Sequence, residues 1–315
     1  MSDKVVCFVT GVAGFTGRNL VEELLNKGYF VVGIDNFSTG KEENIEDFFK
    51  NKNFVFSEVD IRDIDALNGL FLTYSPEIVF HLAWSDINDD SEILETTRNN
   101  VYGTLNLLEI SRKYNIKRFV FASSSSVYGI VNVDLVPEYE EKKPHTISAL
   151  QKSLCESFCS FYHRYFSLKT ICLRLFSVYG PYQNTITNKN KLIPKTIRKC
   201  LDYEQPEIYG DGFQMRDFVY VKDVVRAFLR AGTTDNEDCF GECFNVGSGV
   251  KTTVRYIVRE IQIQTDTTEL DPICDASEQT QEYLVADIEK AKKILDWSPM
   301  VDLPTGLKRT IEYFK

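Results

Sequence analysis

The chain is short of several residue types whose scarcity excludes classes of function. Only three histidines and three methionines occur among 315 residues, and 46 acidic residues outnumber the 36 basic ones. The net charge of −10 argues against nucleic acid or an anionic membrane surface as a partner. No apolar run approaches the length of a membrane span, and residues 1–10 are expected to form a core strand rather than a signal peptide. We therefore expect a cytoplasmic globular protein.

The cysteines lack the spacing of a metal site. Eight are present, but neither Cys155 with Cys159 nor Cys239 with Cys243 has the two-residue separation typical of zinc ligands. Thiols of a large intracellular chain are usually reduced and pack as small hydrophobic groups. We predict no metal ion.

A glycine turn near the start carries the strongest functional signal. Gly11, Gly14 and Gly17 follow the apolar run Val5–Val9 and precede a segment with apolar residues at helical spacing. Glycine permits a tight turn and a close approach of backbone N–H groups to a pyrophosphate, toward which the next helix points its positive end. Because such glycines also occur in ordinary turns, the flanking strand and helix are needed for the interpretation.

A second apolar run, Phe30–Ile34, ends in Asp35, eighteen residues after Gly17. A carboxylate there can accept hydrogen bonds from both adenosine ribose hydroxyls and would repel a 2′-phosphate. The two features together predict a dinucleotide site, and NAD rather than NADP.

Strand and helix patterns alternate through the first half, which predicts a Rossmann-type doubly wound parallel sheet with helices on both faces. Ligands of such sheets bind at the carboxyl ends of the strands. Polar residues follow five predicted strands, at Asp35, Asp60, His81, Ser123–Ser124 and Ser177. We expect one site to gather them.

Two lobes are predicted. Residues 1–177, with 216–240 returning to them, are expected to form the NAD-binding domain, and 178–215 with 241–315 a smaller α/β substrate-binding lobe. Helices are predicted over 99–115, 146–166, 192–202, 221–232 and 305–314, and a strand over 216–221.

Short motifs run through the whole chain in a specific order. They are Thr10-Gly11-x-x-Gly14-x-x-Gly17, Asp35–Gly40, Asp60–Asp63, His81–Ala83, Asn99–Thr104, Ser123–Gly129, Arg174–Pro181, Arg216–Val219 and Phe244–Gly247. With them the chain resembles the extended short-chain dehydrogenase/reductase family, in its NAD-dependent nucleotide-sugar epimerase/dehydratase branch. No single motif is decisive, but their order and spacing together are very specific.

The resemblance implies the residues around NAD and the sugar nucleotide. The cofactor-binding set is Gly11, Gly14, Phe15, Thr16, Gly17, Asp35, Asn36, Ser38, Thr39, Gly40, Asp60, Ile61, Leu82, Ala83, Trp84, Asn99, Ser123, Lys152 and Phe176. The substrate-binding set is Ser124, Ser125, Ser177, Lys191, Leu192, Tyr209 and Arg216. Asp60 and Ile61 are expected at the adenine edge and Lys152 at the nicotinamide ribose. Arg216 is expected on the diphosphate, because a planar guanidinium suits bidentate contact.

Residue 148 departs from the family pattern. The family's proton-transferring tyrosine stands four positions before the lysine, where this chain has Ser148 before Lys152, with Ser124 as the implied catalytic hydroxyl. A phenol with a pKa of about 10 can be brought toward neutrality by nearby positive charge, whereas an aliphatic hydroxyl cannot. Ser148 is also too short to reach the place of a phenolic oxygen. Loss of a positioned general base costs about 10²–10⁴ in rate.

Three interpretations of Ser148 stay open. It is an engineered substitution in an ordinary enzyme; or it is natural, and a water, Ser124, Tyr128 or Tyr179 relays the proton; or the chain is a catalytically silent NAD or sugar-nucleotide binder. The intact cofactor and serine/lysine motifs favour the first two. A histidine nearby in sequence, His145, is a further possible base, although a loop histidine is more often merely exposed.

The residues after Ser124 bear on the reaction. Dehydratases of the branch carry Asp-Glu directly after the catalytic hydroxyl, and decarboxylating members need a nearby glutamate, whereas this chain has Ser125 and Ser126. We therefore expect a 4-epimerase of a nucleoside-diphosphate sugar, with UDP most frequent in the family, acting through a transient 4-keto sugar. A 4,6-dehydratase-like enzyme is the alternative. Trp84, where a small residue is common, either packs against the core or narrows the sugar pocket.

The resemblance also implies a homodimer formed through a four-helix bundle. Two predicted helices, 99–115 and 146–166, carry enough apolar residues to pack twice: Val101, Leu105, Leu108, Leu154, Phe158, Phe161 and Tyr165. The alternative is that these residues pack only against the sheet.

Overall fold

The computed structural model describes residues 4–85, 92–183, 192–275 and 284–315. A seven-stranded sheet is its centre. In spatial order the strands are β11 (Glu242–Val246), β6 (Thr170–Leu175), β5 (Arg118–Ser124), β4 (Ile78–His81), β1 (Val6–Thr10), β2 (Phe30–Asp35) and β3 (Phe54–Glu58). All neighbouring strands run parallel, and the strand order reverses beside β1. The doubly wound fold class is confirmed.

Helices cover both faces of this sheet, and each face has its own apolar core. One face is covered by α1 (Phe15–Asn26) and α7 (Val221–Thr233), which contribute Leu20 and Phe228. The other is covered by α2 (Ile64–Tyr74), α4 (Gly103–Lys113) and α5 (Ile147–Phe166). Because the strands are buried on both faces, they read as continuous apolar runs.

A smaller cluster of elements packs beyond the carboxyl ends of the sheet strands. Its helices are α6 (Leu192–Leu201), α8 (Val254–Thr265) and α10 (Leu303–Phe314), whereas α9 (Glu289–Lys293) packs against β11 in the core of the large sheet. Its strands form three pairs: β7 (Ser177–Tyr179) with β10 (Phe218–Tyr220), β9 (Met215–Arg216) with β12 (Thr252–Thr253), and β8 (Glu207–Tyr209) with β13 (Ile273–Asp275). A separate apolar core joins α6, α8 and α10.

Three sequence-based boundaries differ from the structure. Residues 242–246, expected in the substrate-binding lobe, form β11 and pair with β6, because Phe244 and Val246 alternate into the large core. The helix expected over 99–115 begins earlier, at Ile93, as α3 (Ile93–Thr97) and a π-helical turn (Arg98–Tyr102) that leads into α4. The strand expected over 216–221 breaks at Asp217, whose side chain is buried and hydrogen-bonded.

No helix in the described ranges combines the length and the apolar character that a bilayer crossing needs. Among the four cysteines considered as metal ligands, Cys155, Cys159 and Cys239 are fully buried, as expected of small packing residues.

Candidate active site

The glycine turn joins β1 to α1 through close backbone contacts. Gly11 has a φ of 74°, and a Cβ there would lie 2.7 Å from the Ala83 nitrogen. A Cβ at Gly17 would lie 2.0 Å from the Gly11 carbonyl oxygen. Gly14 caps α1 without a side-chain hydrogen bond, and the first turn of that helix carries no acidic residue. The positive end of α1 therefore faces the turn without a competing anion.

A cavity of about 120 Å³ opens beside this turn at the carboxyl ends of β1 and β2. Asp35 lines it and is 9% exposed, and its two carboxylate oxygens accept hydrogen bonds from the Ala13 and Phe37 nitrogens at 2.9 Å each. Burial raises the pKa of Asp35 above its usual value, against these donors. Each oxygen keeps a lone pair that a ribose hydroxyl can use.

Asp60 lines the same cavity, but unlike Asp35 it accepts hydrogen bonds mainly from side chains. One oxygen accepts the Arg62 backbone nitrogen and Nε, and the other accepts Arg62 Nη2 and Asn36 Nδ2, at 2.8 to 3.0 Å. The Arg62 hydrogen bonds hold the pKa of Asp60 below its usual range. Four donors fill the four lone-pair positions of a carboxylate. The Asp60 side chain therefore orders the loop, and the neighbouring Ile61 also lines the cavity.

A buried histidine fixes the loop after β4. Thr10 Oγ1 accepts the Leu82 and Ala83 nitrogens, so its proton is donated to His81 Nδ1 at 2.8 Å. On the other side Thr104 Oγ1 donates to the Asn100 carbonyl and so accepts from His81 Nε2 at 2.8 Å. His81 is therefore neutral with its proton on Nε2. Burial, with the nearby Lys152 charge, lowers its pKa to about 3.

The π-helical turn continues this support. Asn100, within it, accepts the Ser85 nitrogen at 2.8 Å and donates to the Ser85 carbonyl at 2.9 Å. The same amide donates to Gln151 Oε1 on α5 at 2.8 Å. Segments of this kind are frequent at functional sites. Here the turn connects the loop after β4 to the helix that carries Lys152.

A second cavity, of about 400 Å³, lies next to the first between the sheet and α6. Leu82 and Trp84 line both cavities. The lining also includes Ser124, Lys152 and Arg216, and none of its residues is an aspartate, glutamate or histidine in the part of the chain that the structure describes. The described lining of this cavity carries two cationic side chains and no anionic one, which suits an anionic ligand.

Ser124 and Lys152 stand at the floor of the second cavity. Ser124 Oγ accepts the Ser126 nitrogen at 3.2 Å and the Ser126 hydroxyl at 2.9 Å, which leaves the Ser124 proton to be donated. Lys152 is 8% exposed and donates to the Ala122 carbonyl at 2.5 Å. Its Nζ also lies 3.5 Å from the centroid of the Trp84 ring.

A buried ion pair supports this floor from below. Ser123 Oγ donates to Glu156 Oε1 at 2.6 Å, and Arg174 donates to both Glu156 oxygens at 2.9 and 2.8 Å. Burial raises the pKa of Glu156, but the Arg174 hydrogen bonds and charge outweigh it and hold the pKa below the usual value. The pair fixes the end of β5, whose last residue is Ser124.

Arg216 is positioned by its neighbour. Asp217 is 1% exposed; one oxygen accepts the Ser248 nitrogen and hydroxyl, and the other accepts the Gly249 and Ala286 nitrogens. Burial raises the pKa of Asp217 in spite of these donors. This carboxylate ties three chain segments together beside the cavity and so fixes the backbone of Arg216.

Comparison with known proteins shows the family. The model of the NAD dependent epimerase/dehydratase family matches residues 7–247. The chain is 35% identical to a putative UDP-glucose 4-epimerase of Methanocaldococcus jannaschii, over 98% of this chain and 97% of that protein. It superposes on a Thermotoga maritima UDP-glucose 4-epimerase solved with UDP-glucose (TM-score 0.90, 36% identity, 98% of each chain). It also superposes on a Methanobrevibacter ruminantium UDP-N-acetylglucosamine 4-epimerase (TM-score 0.91, 31% identity, 100% and 99% of the two chains).

The chain belongs to the NAD-dependent epimerase/dehydratase family. Members of this family are enzymes that use NAD. The resemblance seen in the sequence motifs is thereby confirmed.

Most of the predicted residues line one of the two cavities. The first gathers Gly11, Gly14, Asp35, Asn36, Ser38, Thr39, Asp60, Ile61, Leu82, Ala83, Trp84 and Asn99. The second gathers Phe15, Thr16, Ser123, Ser124, Lys152, Phe176, Ser177, Leu192 and Arg216, with Leu82 and Trp84. Ser125 lines a neighbouring cavity that also touches Ser177 and Arg216. These roles stay predictions of the family pattern.

Three of the predicted binding residues, Gly17, Gly40 and Tyr209, line neither cavity. Gly17 and Gly40 pack against the glycine turn, where a Cβ at Gly40 would lie 2.6 Å from the Ala13 Cβ. Tyr209 lies on β8 outside the cavity lining, because its hydroxyl accepts a hydrogen bond from Lys195 at 3.0 Å. Lys191 lies outside the described residues.

The structure shows the contacts of Ser148, which stands at the position of the family's tyrosine. Ser148 follows the first residue of α5, one turn before Lys152, and its Oγ accepts a hydrogen bond from Trp84 Nε1 at 3.0 Å. The larger side chain in this part of the family site is therefore Trp84.

The two tyrosines considered as proton relays are engaged elsewhere. Tyr128 is fully buried, donates to Asn245 Oδ1 at 2.7 Å and accepts from Arg174 Nη1 at 2.8 Å. The Tyr179 hydroxyl is directed to the Leu303 carbonyl at 3.4 Å. Burial raises the pKa of both phenols. His145 is exposed and lines the neighbouring cavity with Ser125 rather than the cavity of Ser124.

The sequence did not reveal the residues that support the site from below. Thr104, Asn100, Gln151, Glu156 and Asp217 are buried polar residues whose partners come from distant segments. The only available signal was a polar or charged residue inside an otherwise apolar helix or strand, which indicates a buried partner without naming it.

Proposed function

We propose that this protein is a NAD-dependent 4-epimerase of a UDP-sugar that reacts at C4 through a transient 4-keto sugar. The observation that carries the proposal is the second cavity, where Ser124, Lys152 and Arg216 meet without a carboxylate among the described lining residues. A reversible oxidation at one carbon needs no acidic side chain for water elimination. A dehydratase does, and Ser125 and Ser126 offer none.

The first cavity supports NAD as the cofactor. Asp35 presents carboxylate oxygens toward it, and the uncapped start of α1 adjoins the glycine turn. A carboxylate suits the two ribose hydroxyls of NAD and disfavours a 2′-phosphate. The helix start and the close glycine contacts suit the pyrophosphate. Bound NAD supplies a hydride acceptor and donor beside the sugar.

The second cavity supports a nucleoside-diphosphate sugar as the substrate. Arg216 can bind the diphosphate, and Ser124 can donate its free proton to the oxygen on C4 of the sugar. That hydrogen bond strengthens as the oxygen becomes a carbonyl of a ketone and is reduced again. Lys152 places positive charge where negative charge develops. The UDP-sugar epimerases among the relatives favour UDP as the nucleotide.

A second candidate function rests on Ser148. Because Ser148 presents a hydroxyl bonded to Trp84 and not a phenol, the chain can also be a binder of NAD and sugar nucleotide with little turnover. Because both lone pairs of Ser124 Oγ accept hydrogen bonds from Ser126, Ser124 is oriented to donate a proton and not to take one up, and of the relays considered earlier we infer a water.

Product analysis tests the proposal. The protein is incubated with NAD and, in separate reactions, with UDP-glucose, UDP-galactose, UDP-N-acetylglucosamine and UDP-N-acetylgalactosamine, and products are followed by proton NMR. Interconversion of one 4-epimer pair is expected. A 4-keto-6-deoxy product would instead show a dehydratase, and tight binding of NAD and UDP-sugar without conversion would show the binder.

We also infer a homodimer built on α5. Leu150, Leu154, Phe161 and Tyr165 lie four, seven and four residues apart on this helix and are 53%, 42%, 42% and 69% exposed. Val101 and Leu108, considered for the same surface, are buried in the core instead. Sedimentation velocity should give a dimer, and Leu154→Glu with Phe161→Glu should give a monomer.

A further inference from the structure

The loop after β4 places an indole against Ser148, the residue at the sequence position of the family's acid–base tyrosine. Trp84 lines both cavities, so it lies at the boundary between the dinucleotide and the sugar. Its Nε1 donates to Ser148 Oγ at 3.0 Å, and its ring face lies 3.5 Å from Lys152 Nζ. A single side chain thus contacts both residues of the family's helix motif.

The position of this indole is built into the structure on both sides. The Ala83 nitrogen is bonded to Thr10 Oγ1 at 3.1 Å, and both backbone groups of Ser85 are bonded to Asn100. Asn100 in turn holds Gln151, the residue before Lys152. These hydrogen bonds tie the backbone on both sides of Trp84 to β1 and to α5, so the root of the indole side chain is fixed beside Lys152.

The indole of Trp84 can position Ser148 and Lys152, but it cannot transfer a proton to or from the substrate. An indole N–H donates a hydrogen bond but has no lone pair with which to accept a proton. Its face attracts an ammonium group, and the attraction grows when that group is shielded from water, as Lys152 is. Because Ser148 Oγ accepts the indole proton, the serine hydroxyl hydrogen points away from Trp84.

We propose that Trp84 is a positioning residue that is exchanged as a pair with Ser148: the indole fills the space that a large side chain at 148 would need, and it holds Lys152 beside the cofactor. This deepens the proposed function, because it names the residue that sets the active site's geometry. It predicts that restoring a phenol at 148 alone fails, since the phenol and the indole compete for one space.

A double-mutant cycle on NAD binding tests the pair. Dissociation constants for NAD are measured by calorimetry on the wild type, Ser148→Tyr, Trp84→Ala and the double variant. Each single change is expected to weaken NAD binding by about tenfold, and the double variant to bind within about threefold of the wild type. Independent effects that multiply in the double variant would overturn the proposal, as would undiminished binding in Ser148→Tyr. Thermal unfolding of the four apoproteins checks folding, and Trp84→Leu replaces Trp84→Ala if the latter does not fold.

Indole fluorescence gives a second readout that a merely structural role would not move. The chain has two tryptophans, and Trp297 is buried with its Nε1 bonded to the Asp223 carbonyl at 3.0 Å. Oxidised NAD does not absorb where indole emits, so quenching requires close contact. Quenching by NAD is expected in Trp297→Phe and lost in Trp84→Phe. Equal quenching in both variants would contradict a Trp84 at the cofactor.

Turnover separates this proposal from the proposed function. In epimerisation the C4–H bond breaks as hydride passes to NAD, the O4 proton passes to a base, and both return, so nothing is consumed. Turnover of the double variant on the UDP-sugar is expected to exceed that of the wild type by about 10²-fold, with the pH dependence of a phenol. If the two substitutions are non-additive in NAD binding but no variant turns over a UDP-sugar, the proposed epimerase activity would be rejected. The proposed exchange of Trp84 and Ser148 as a pair would then still stand.

Discussion

The two cavities of this protein are built in different ways. The dinucleotide cavity is shaped by backbone: glycines in contact with carbonyls, N–H groups on Asp35, and an open helix start. The second cavity is shaped by side chains, among them Trp84, Ser124 and Arg216. Backbone contacts tolerate no substitution, whereas side chains can be exchanged together. The chain accordingly keeps the family motifs in the first cavity and departs from them in the second.

The largest effect is expected from the buried Glu156–Arg174 ion pair beneath the second cavity. Glu156→Gln should destabilise the fold by about 3–5 kcal/mol, because Arg174 loses its charged partner in the interior. Since the pKa of Glu156 is depressed in the folded protein, its stabilisation is present above the unfolded pKa and is lost as the pH falls through the folded pKa. Urea unfolding at several pH values measures this. Asp134→Asn, at an exposed ion pair with Lys251, is the control and should not change the unfolding midpoint.

Ser124→Ala tests the donor to the sugar oxygen. Turnover should fall by about 10²–10³ while KM stays within a few-fold, because this hydrogen bond strengthens only as the ketone is formed and reduced. Ser126→Ala removes a donor to Ser124 and should cost less than about tenfold. Steady-state kinetics on the UDP-sugar gives both values. Equal losses of turnover in Ser124→Ala and Ser126→Ala would contradict the role of Ser124 as the hydrogen-bond donor to the sugar oxygen.

Gly17→Ala tests the backbone-built cavity. The added Cβ would require the Gly11 carbonyl to retreat by more than an ångström from its 2.0 Å approach, so NAD affinity should fall by about 10²-fold. Gly69→Ala is the matched control: it lies within α2, a Cβ there meets nothing within 4 Å, and the change should stabilise the fold slightly. Calorimetric titration with NAD compares the two. Unchanged affinity in Gly17→Ala would show that the turn adapts as readily as the side-chain cavity.

The smallest expected effect concerns pH. The pKa of Asp35 is raised by burial in the free protein, and ribose hydroxyls that donate to the carboxylate should lower it in the complex. NAD affinity should therefore decline as the pH falls from neutrality into the acid range, with uptake of a proton on release of NAD. In Asp35→Asn the affinity is weaker and the decline absent. A wild-type affinity that is constant over this range would place the ribose elsewhere.

Sequence reasoning worked where the signal is local. The alternation of strands and helices predicted the sheet, and the glycine turn followed by Asp35 predicted the first cavity, because both are patterns within about thirty residues. It placed β11 wrongly, since a five-residue strand does not show which sheet it joins. Sequence reasoning did not foresee that Arg62 occupies the hydrogen-bond acceptor positions of the Asp60 carboxylate. The type of a residue does not reveal which partners its side chain will have in the fold.

Contacts between segments that are distant in the sequence could not be predicted from the sequence. Trp84 and Ser148 were each noticed as departures, but 64 residues separate them and no periodic pattern connects them. The Asn100–Gln151 and Glu156–Arg174 contacts are likewise set by how α5 packs on the sheet. Such pairs arise from the tertiary fold, so only the structure shows that the two departures contact one another.

The central claim is hydride transfer at C4 within the cavity of Ser124 and Lys152. UDP-glucose and UDP-N-acetylglucosamine, each deuterated at C4, are incubated separately with the protein and NAD, and the deuterium content of the 4-epimer formed is measured by mass spectrometry. The proposed chemistry predicts full retention of deuterium at C4, because the hydride returns to the carbon from which it came. A product that carries protium at C4, or the absence of any 4-epimer, would contradict it.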